Sequence, residues 1–487
     1  MELELDDIQG NILFGYAKLP AAQFVLLSIE DSVMARPWIA RLADAVANGK
    51  ERPTVDAINI AFTFDGFKTL DLNKQGLNTF SQEFVEGMTT NHKQRLLGDF
   101  DQNDPEKWHW GGSKTPTVHA VLMLYAKDDV TLAELYTRLK PDFTASGLSE
   151  IQSLPTVHLK FDKEHFGFRD GISEPVIEGT ERYKLKHPPG FNTIKPGEFV
   201  LGYLNEYDLY TSSPTVPTTD DVHSLLKPPS AGGAGLDFGR NGTYVVFRQL
   251  EQDVQGFWKY CDSNASGADG KSDPAERTRL AAKMVGRWPS GTPFSESPDS
   301  DPLPSLDFND KALPGNGFLF AEDDAHGYKC PIGSHIRRSF PRDTIGPDKK
   351  QSIEVSKRHR IIRRGREYGA PIDPEMRPDE MLSAPAPAEP RGLYFICINA
   401  DIGRQFEFIQ DTWLNDQHFQ GLYSDPDPIA AGVTAVPNQT VVNLTFTVQS
   451  CPVRQKLPNL PNFITTRGGA YFFLPGINAL RYIGSQK

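Results

Sequence analysis

Three short stretches carry side chains whose types and surroundings could do chemistry. In "HFGFRDGISEP" (165–175) a carboxylate, Asp170, stands between an arginine and a glycine. The glycines at 167 and 171 let the backbone turn sharply and aim the acid into a cavity, although an Asx-turn with a surface acid is the simpler account of the stretch alone. In "YKCPIGSHIRRSFPRD" (328–343) His335 is followed by Ile336 and two arginines, Arg337 and Arg338. An imidazole ligates iron through one nitrogen while cationic neighbours pair with carboxylates; a structural histidine is the plainer alternative. "HRIIRRGREYG" (359–369) places Arg363 beside Ile361 and Ile362, as a snorkelling surface arginine or as a charge held in a dry pocket.

Composition narrows the classes. The chain has 487 residues, 38% hydrophobic, 23% charged and 10% aromatic, and its net charge of -12 repels a nucleic-acid backbone. No apolar run nears the roughly 20 residues of a spanning helix, so no membrane partner is expected. The opening "MELELDDIQGNILFGY" lacks the basic and apolar regions of a secretory signal, which favours the cytoplasm. Phosphate-binding G-x-x-x-x-G-K-[ST], zinc-binding H-E-x-x-H and G-x-S-x-G patterns are all missing from the sequence. Cys261, Cys330, Cys397 and Cys451 are scattered singly, against a zinc site or a disulfide framework. The basic segment "KRHRIIRRGR" (357–366) reads as a charged surface face, partly buried through its two isoleucines.

The elements that must position these residues alternate. "QFVLLSI", the helical spacing of "PWIARLADAVA" and "AINIAFTF" make a β-α-β unit, followed by the strand "VHAVLMLYA" and the helix "TLAELYTRL", where Thr131 and Glu134 have capping-box spacing. The pattern repeats with "TYVVFRQL", "VQGFWKYC", "AERTRLAAKMVGRW", "GLYFICINA" and the helix "QFEFIQDTWLN". The expected class is α+β, with duplicated ferredoxin-like domains of antiparallel sheet and helices. Residues 1–211 form the half carrying Asp170, 212–237 a surface excursion rich in Pro, Ser, Thr and Gly, and 238–487 the half carrying His335.

The three segments, in this order, resemble the dye-decolorising peroxidase family. "DDIQGNIL", "NGTYVVFRQLEQDV", "GLYFICINA" and "FEFIQDTWLN" complete a set that spans nearly the whole chain in family order. The long form is most similar to the larger bacterial and fungal members.

The resemblance implies haem b between a distal and a proximal side, held mostly by the second half. His335 matches the proximal iron ligand, ahead of His165, His326 and His359, with Asp427 as its carboxylate partner and Asp425 as close rival. Asp170 and Arg363 match the distal catalytic pair. Leu393 and Phe395 match walls of a small distal pocket, and Arg337, ahead of Arg338, a propionate partner. Trp413 and Tyr368 are relay candidates for electrons from donors too bulky to enter. Gly333 and Ser334 before the histidine depart from commoner family versions without touching ligation. The implied activity is reduction of hydrogen peroxide with one-electron oxidation of dyes, phenolics and other aromatic donors. A haem carrier or iron-release protein on the same scaffold needs only His335. The resemblance leaves open a monomer or a homodimer, and manganese oxidation.

Overall fold

In the computed structural model, which describes residues 2–186, 188–265, 271–303, 315–432 and 443–486, the apolar runs become strands. The first half contributes β1 (Ala21–Ile29), β2 (Asp56–Phe62), β3 (Ala120–Ala126) and β4 (Leu148–Pro155). The second contributes β5 (Thr243–Gln252), β6 (Ile362–Arg363), β7 (Arg366–Tyr368), β8 (Gly392–Asn399) and β9 (Ile464–Leu474). All nine join one sheet, ordered β6-β8-β5-β9-β2-β3-β1-β4 with β7 also on β8, and the pairings are antiparallel.

The order within each half is the same. Counting strands along the chain, with β6 and β7, which both pair with β8, taken as one, each runs fourth, first, third, second, which is the ferredoxin-like arrangement, and the halves meet edge to edge where Phe473 of β9 pairs with Phe62 of β2. The sheet then curls, because β3, buried at every position, needs apolar cover on both faces. Phe24 of β1 packs edge-on against Phe247 of β5 and Tyr394 of β8, with ring centroids 5.4 and 6.0 Å apart. Such contacts add about 0.5–1.5 kcal/mol each beyond area burial.

Aspartates start the helices. Asp31 accepts from the amides of Val33 and Met34 at the head of α1 (Ser32–Ala45). The expected capping box at Thr131 is displaced: α2 (Asp129–Ala145) begins earlier, and Asp128 caps it by accepting from the Thr131 amide. α3 (Val254–Asn264) and α4 (Pro274–Val285) follow β5, and the one-turn α5 (His335–Ser339) carries the candidate iron ligand. "QFEFIQDTWLN" does not form a regular α-helix: it winds as wide π-type turns over Gly403–Glu407 and Ile409–Asn415.

One face of the second half opens into the site. Tyr244 and Val246 of β5 sit in the core, and the next side chains on that face, Arg248, Leu250 and Gln252, line an internal cavity. Residues 212–237 are clipped to the body by a short strand pair, Thr215–Val216 with Leu236–Asp237. Among the described residues no helix is long and apolar enough to cross a membrane.

Candidate active site

The cavity, about 280 Å³ in volume, is bounded by Asp170, Arg363, His335, Leu393 and Phe395 together with Val285, Ile336, Phe406, Ile409, Leu414 and Ile429. Its walls are mostly apolar, with a few convergent charges, the usual make-up of a cofactor site.

Asp170 arrives on a loop whose turns fall at Gly167 and Gly171, both at positive φ (95° and 73°). Its Oδ1 accepts from Arg363 Nη1 at 2.7 Å and from the Gly171 amide at 2.7 Å. Arg363 is fixed from its other side, Nε lying 2.9 Å from Glu174 Oε1 and its amide donating to Glu174 Oε2 at 2.9 Å. Burial works to raise the Asp170 pKa, but the Arg363 guanidinium outweighs it and holds the carboxyl below its ordinary value. Burial likewise opposes charge on Arg363, and Asp170 and Glu174 overcome it, so the guanidinium stays a cation.

On the opposite wall His335 Nδ1 lies 3.0 Å from Asp427 Oδ2. Asp427 is fully enclosed, and its Oδ1 accepts from the amides of Ile429 and Ala430 at 2.9 and 2.7 Å. Burial would lower the His335 pKa; Asp427 more than offsets it, and the shift is upward. The imidazole side chain keeps 29% exposure, toward the cavity, and Nε2 makes no hydrogen bond among the described residues. A neutral imidazole oriented by a carboxylate at one nitrogen, with the other facing an apolar slot, is a donor set that fits haem iron. Asp425 is engaged elsewhere, accepting from Thr445 Oγ1 at 2.5 Å and Thr447 Oγ1 at 2.8 Å.

Arg337 requires correction as a cofactor contact. His335, Ile336, Ser339 and Phe340 line the cavity, whereas Arg337 lies two positions after His335 and so faces away. Its buried Nη1 donates to Asp324 Oδ2 at 3.2 Å and to the Cys330 carbonyl at 2.9 Å. Arg338 is likewise off the cavity, donating to the carbonyls of Asp425, Leu414 and Asp416 and thereby clamping the segment that carries Asp427.

The other histidines differ in placement. His165 is buried with Nε2 against the Tyr368 carbonyl at 2.9 Å, and His326 packs beside Tyr328. His359 reaches the cavity wall but lies flat on Phe408, centroids 3.9 Å apart, with Nδ1 on the Arg404 carbonyl. Trp413 sits one ring behind, 5.2 Å from His359; Tyr368 stacks on Tyr394 at 4.5 Å, and neither lines the cavity.

Two acids escaped the sequence reading. Glu174 lies four residues beyond Asp170 in the same quoted stretch, and that proximity was the available signal. Glu164 accepts from the amides of Phe166 (2.9 Å) and Phe168 (3.0 Å) and from Gln252 Nε2 (2.8 Å), pinning the loop that presents Asp170. The basic segment 357–366 turns inward more than expected, with Arg360 and Arg364 buried. Cys261, Cys330 and Cys397 are buried free thiols and Cys451 is exposed.

The chain is similar to known proteins over nearly its whole length. The family model of the DyP dimeric alpha+beta barrel domain matches residues 7–157. A dye-decolorizing peroxidase of Exidia glandulosa is 29% identical over 98% of this chain and 86% of its own. A variant of the decolorizing peroxidase of Auricularia auricula-judae superposes with a TM-score of 0.74 at 25% identity, over 99% of this chain and 100% of that one. A dye-decolorizing peroxidase in complex with 2,6-dimethoxyphenol gives a TM-score of 0.75 at 24% identity, over 99% and 100% of the two chains. A family model over the first part of the chain, relatives aligned over nearly all of it and a shared fold make the chain similar to the dye-decolorising peroxidases.

Proposed function

We propose that the protein is a haem-dependent peroxidase that reduces hydrogen peroxide and oxidises dyes, phenolics and other bulky aromatic donors in one-electron steps, with haem b as cofactor. The observation that carries the reading is a carboxylate–arginine pair 2.7 Å apart on one wall of a cavity whose other wall bears a carboxylate-oriented imidazole. Similarity to dye-decolorizing peroxidases along nearly the whole chain, and the phenol complex of a structural neighbour, support the donor class.

His335 would hold the iron through Nε2, with Asp427 fixing ring orientation and tautomer. When bound, haem supplies the redox-active iron; the remaining chemistry falls to the chain. Asp170 takes the proton from one oxygen of hydrogen peroxide and returns it to the other, which departs as water. Its carboxylate must be ionised to begin, and Arg363 keeps it so into acid solution. Arg363 also meets the negative charge that develops as the O–O bond breaks, in a site where water screens little. Leu393 and Phe395 line the cavity and would keep its distal side small once the cofactor is bound. Bulky donors therefore deliver electrons from outside, and Trp413, one ring from the cavity-lining His359, is better placed for that relay than Tyr368, which lies among core aromatics.

The carrier reading needs His335 alone and gives no reason for Asp170, Arg363 and Glu174 to be built into one hydrogen-bonded unit. An absorption spectrum followed by peroxide addition decides between them. A Soret band that shifts within milliseconds in the native protein, and slowly in Asp170→Asn, is the expected result. Equal peroxide rates in both, with haem retained, would refute the mechanism.

A further inference from the structure

Arg363 lies on β6, which ends the sheet. The amide of Arg364 pairs inward with the Ile396 carbonyl at 2.7 Å, and the amide of Arg363 points outward, where the sheet has no further strand among the described residues. An outward amide on an edge strand needs a partner. Glu174 supplies it, accepting at Oε2 from the Arg363 amide at 2.9 Å while Oε1 lies 2.9 Å from Nε of the same residue. One carboxylate thus holds both ends of Arg363, backbone and guanidinium. Glu174 is placed in turn by Pro175, which restricts the residue before it to extended backbone, and by Asn192 Nδ2, which donates to its carbonyl at 3.2 Å. It is buried, at 8% exposure, and lines the same cavity.

The guanidinium is divided between two acids. Asp170 takes Nη1 at 2.7 Å, Glu174 takes Nε, and Nη2 makes no hydrogen bond among the described residues. Arg363 lines the cavity with 32% of its side chain exposed, so Nη2 is the donor left for a ligand. A planar guanidinium pinned at two of its three nitrogens cannot turn the third away. Its charge is divided as well: two carboxylates share one cation, and the unit carries one negative charge in excess until Asp170 binds a proton. The other charged and titratable groups facing Asp170 are His335, Arg287, Glu164 and Glu367. Those facing Glu174 are Arg182, Arg360 and Arg364.

We propose that Glu174 is the positioning residue of the distal site: it aims Arg363 Nη2 at the peroxide, and its charge loosens the hold of Arg363 on the Asp170 carboxylate so that this carboxylate accepts a proton more readily. This deepens the peroxidase reading above and rests on it. With Arg363 alone beside it Asp170 would be a poorer base, because a neighbouring cation favours the ionised carboxylate. A second carboxylate on the same guanidinium offsets part of that effect and keeps the donor that meets the developing charge of O–O cleavage. Proton transfer stays with Asp170, and Glu174 acts through Arg363.

The test mixes haem-loaded full-length protein with hydrogen peroxide in a stopped-flow instrument across a series of pH values. Glu174→Gln is expected to move the acid limb of the pH–rate profile downward by roughly 0.5–1 pH unit, because Asp170 then meets the undivided charge of Arg363 and stays ionised further into acid. Arg363→Leu moves the same limb the other way. Glu174→Asp keeps the charge but draws the carboxylate back by one methylene; its limb is expected to stay in place while the rate falls roughly ten- to hundred-fold, as Nη2 loses its aim. In an Arg363→Leu background Glu174→Gln is expected to change the rate by less than about twofold, since it acts through a side chain no longer present. An unmoved limb in Glu174→Gln, a full rate in Glu174→Asp, or full additivity with Arg363→Leu would each overturn the proposal. If Glu174→Gln does not fold, Glu174→Asp decides; loss of folding in both would make Glu174 a structural counter-charge for the buried arginines and overturn it too. Slow peroxide reduction by the native protein would instead defeat the peroxidase reading itself.

Discussion

The two walls of the cavity use the same chemical element, a carboxylate against a cationic or basic partner, to opposite ends. The distal pair is open: Asp170 and Arg363 keep 37% and 32% side-chain exposure, and both line the cavity. The proximal carboxylate is sealed: Asp427 has 0% exposure, and its oxygens are occupied by His335 and two backbone amides. An exposed carboxylate whose charge is stabilised by one arginine is able to exchange protons with a substrate. A sealed one is limited to orienting its partner. The contrast fits the proposed roles, proton transfer for Asp170 and positioning for Asp427.

That division has measurable consequences. Asp170→Asn removes the proposed proton acceptor of the distal pair, and the peroxide-reduction rate is expected to fall by roughly 10²–10⁴-fold in stopped-flow mixing, with the Soret band retained. Arg363→Leu is expected to cost roughly 10²–10³-fold. It also moves the acid limb of the pH–rate profile upward: Asp170 now lies below its ordinary value because Arg363 outweighs burial, and without Arg363 burial is opposed only by the weaker influences of the Gly171 amide and His335. The carboxylate is then protonated, and idle, at pH values where the native enzyme still works. An acid limb unmoved by Arg363→Leu would remove Asp170 from the role of base.

Asp427→Asn tests the sealed wall. Loss of the carboxylate that orients His335 is expected to weaken iron retention or activity by roughly 10–100-fold, read as haem loss and as an altered ferric spectrum, with the acid limb in place. Asp425→Asn should have the smallest effect on turnover, under about twofold, while lowering stability by about 1–3 kcal/mol in denaturant unfolding, because it breaks bonds to Thr445 and Thr447 and none to His335. A large kinetic defect in Asp425→Asn with a silent Asp427→Asn would reverse the proximal assignment.

How far the sequence reaches differs by element. Strands such as "TYVVFRQL" were legible because residues buried on both faces form unbroken apolar runs. The start of α2 was read late because Thr131 and Glu134 offered one plausible cap, while Asp128 made the hydrogen bond. "QFEFIQDTWLN" has helical composition, yet its turns widened into π geometry where Phe406, Ile409, Gln410 and Leu414 meet the cavity. Arg337 was misdirected by adjacency: being next to a ligand in sequence is not being next to it on a helix. The hold of Glu174 on Arg363 was invisible, since nothing local ties residues so far apart in the chain.

The sequence alone determined the α+β class, the repeated strand–helix pattern and the short motifs bearing Asp170, His335 and Arg363, because periodicity, turn glycines and motif order are local properties of the chain. Only the tertiary structure decided that the two halves share one curled sheet, that Asp427 rather than Asp425 reaches His335, that Glu174 braces Arg363, and that Arg337 faces away from the cavity. Those outcomes depend on which side chains meet across a cavity, and on the cost of burying charge there, and neither is written in the spacing of residues along the chain.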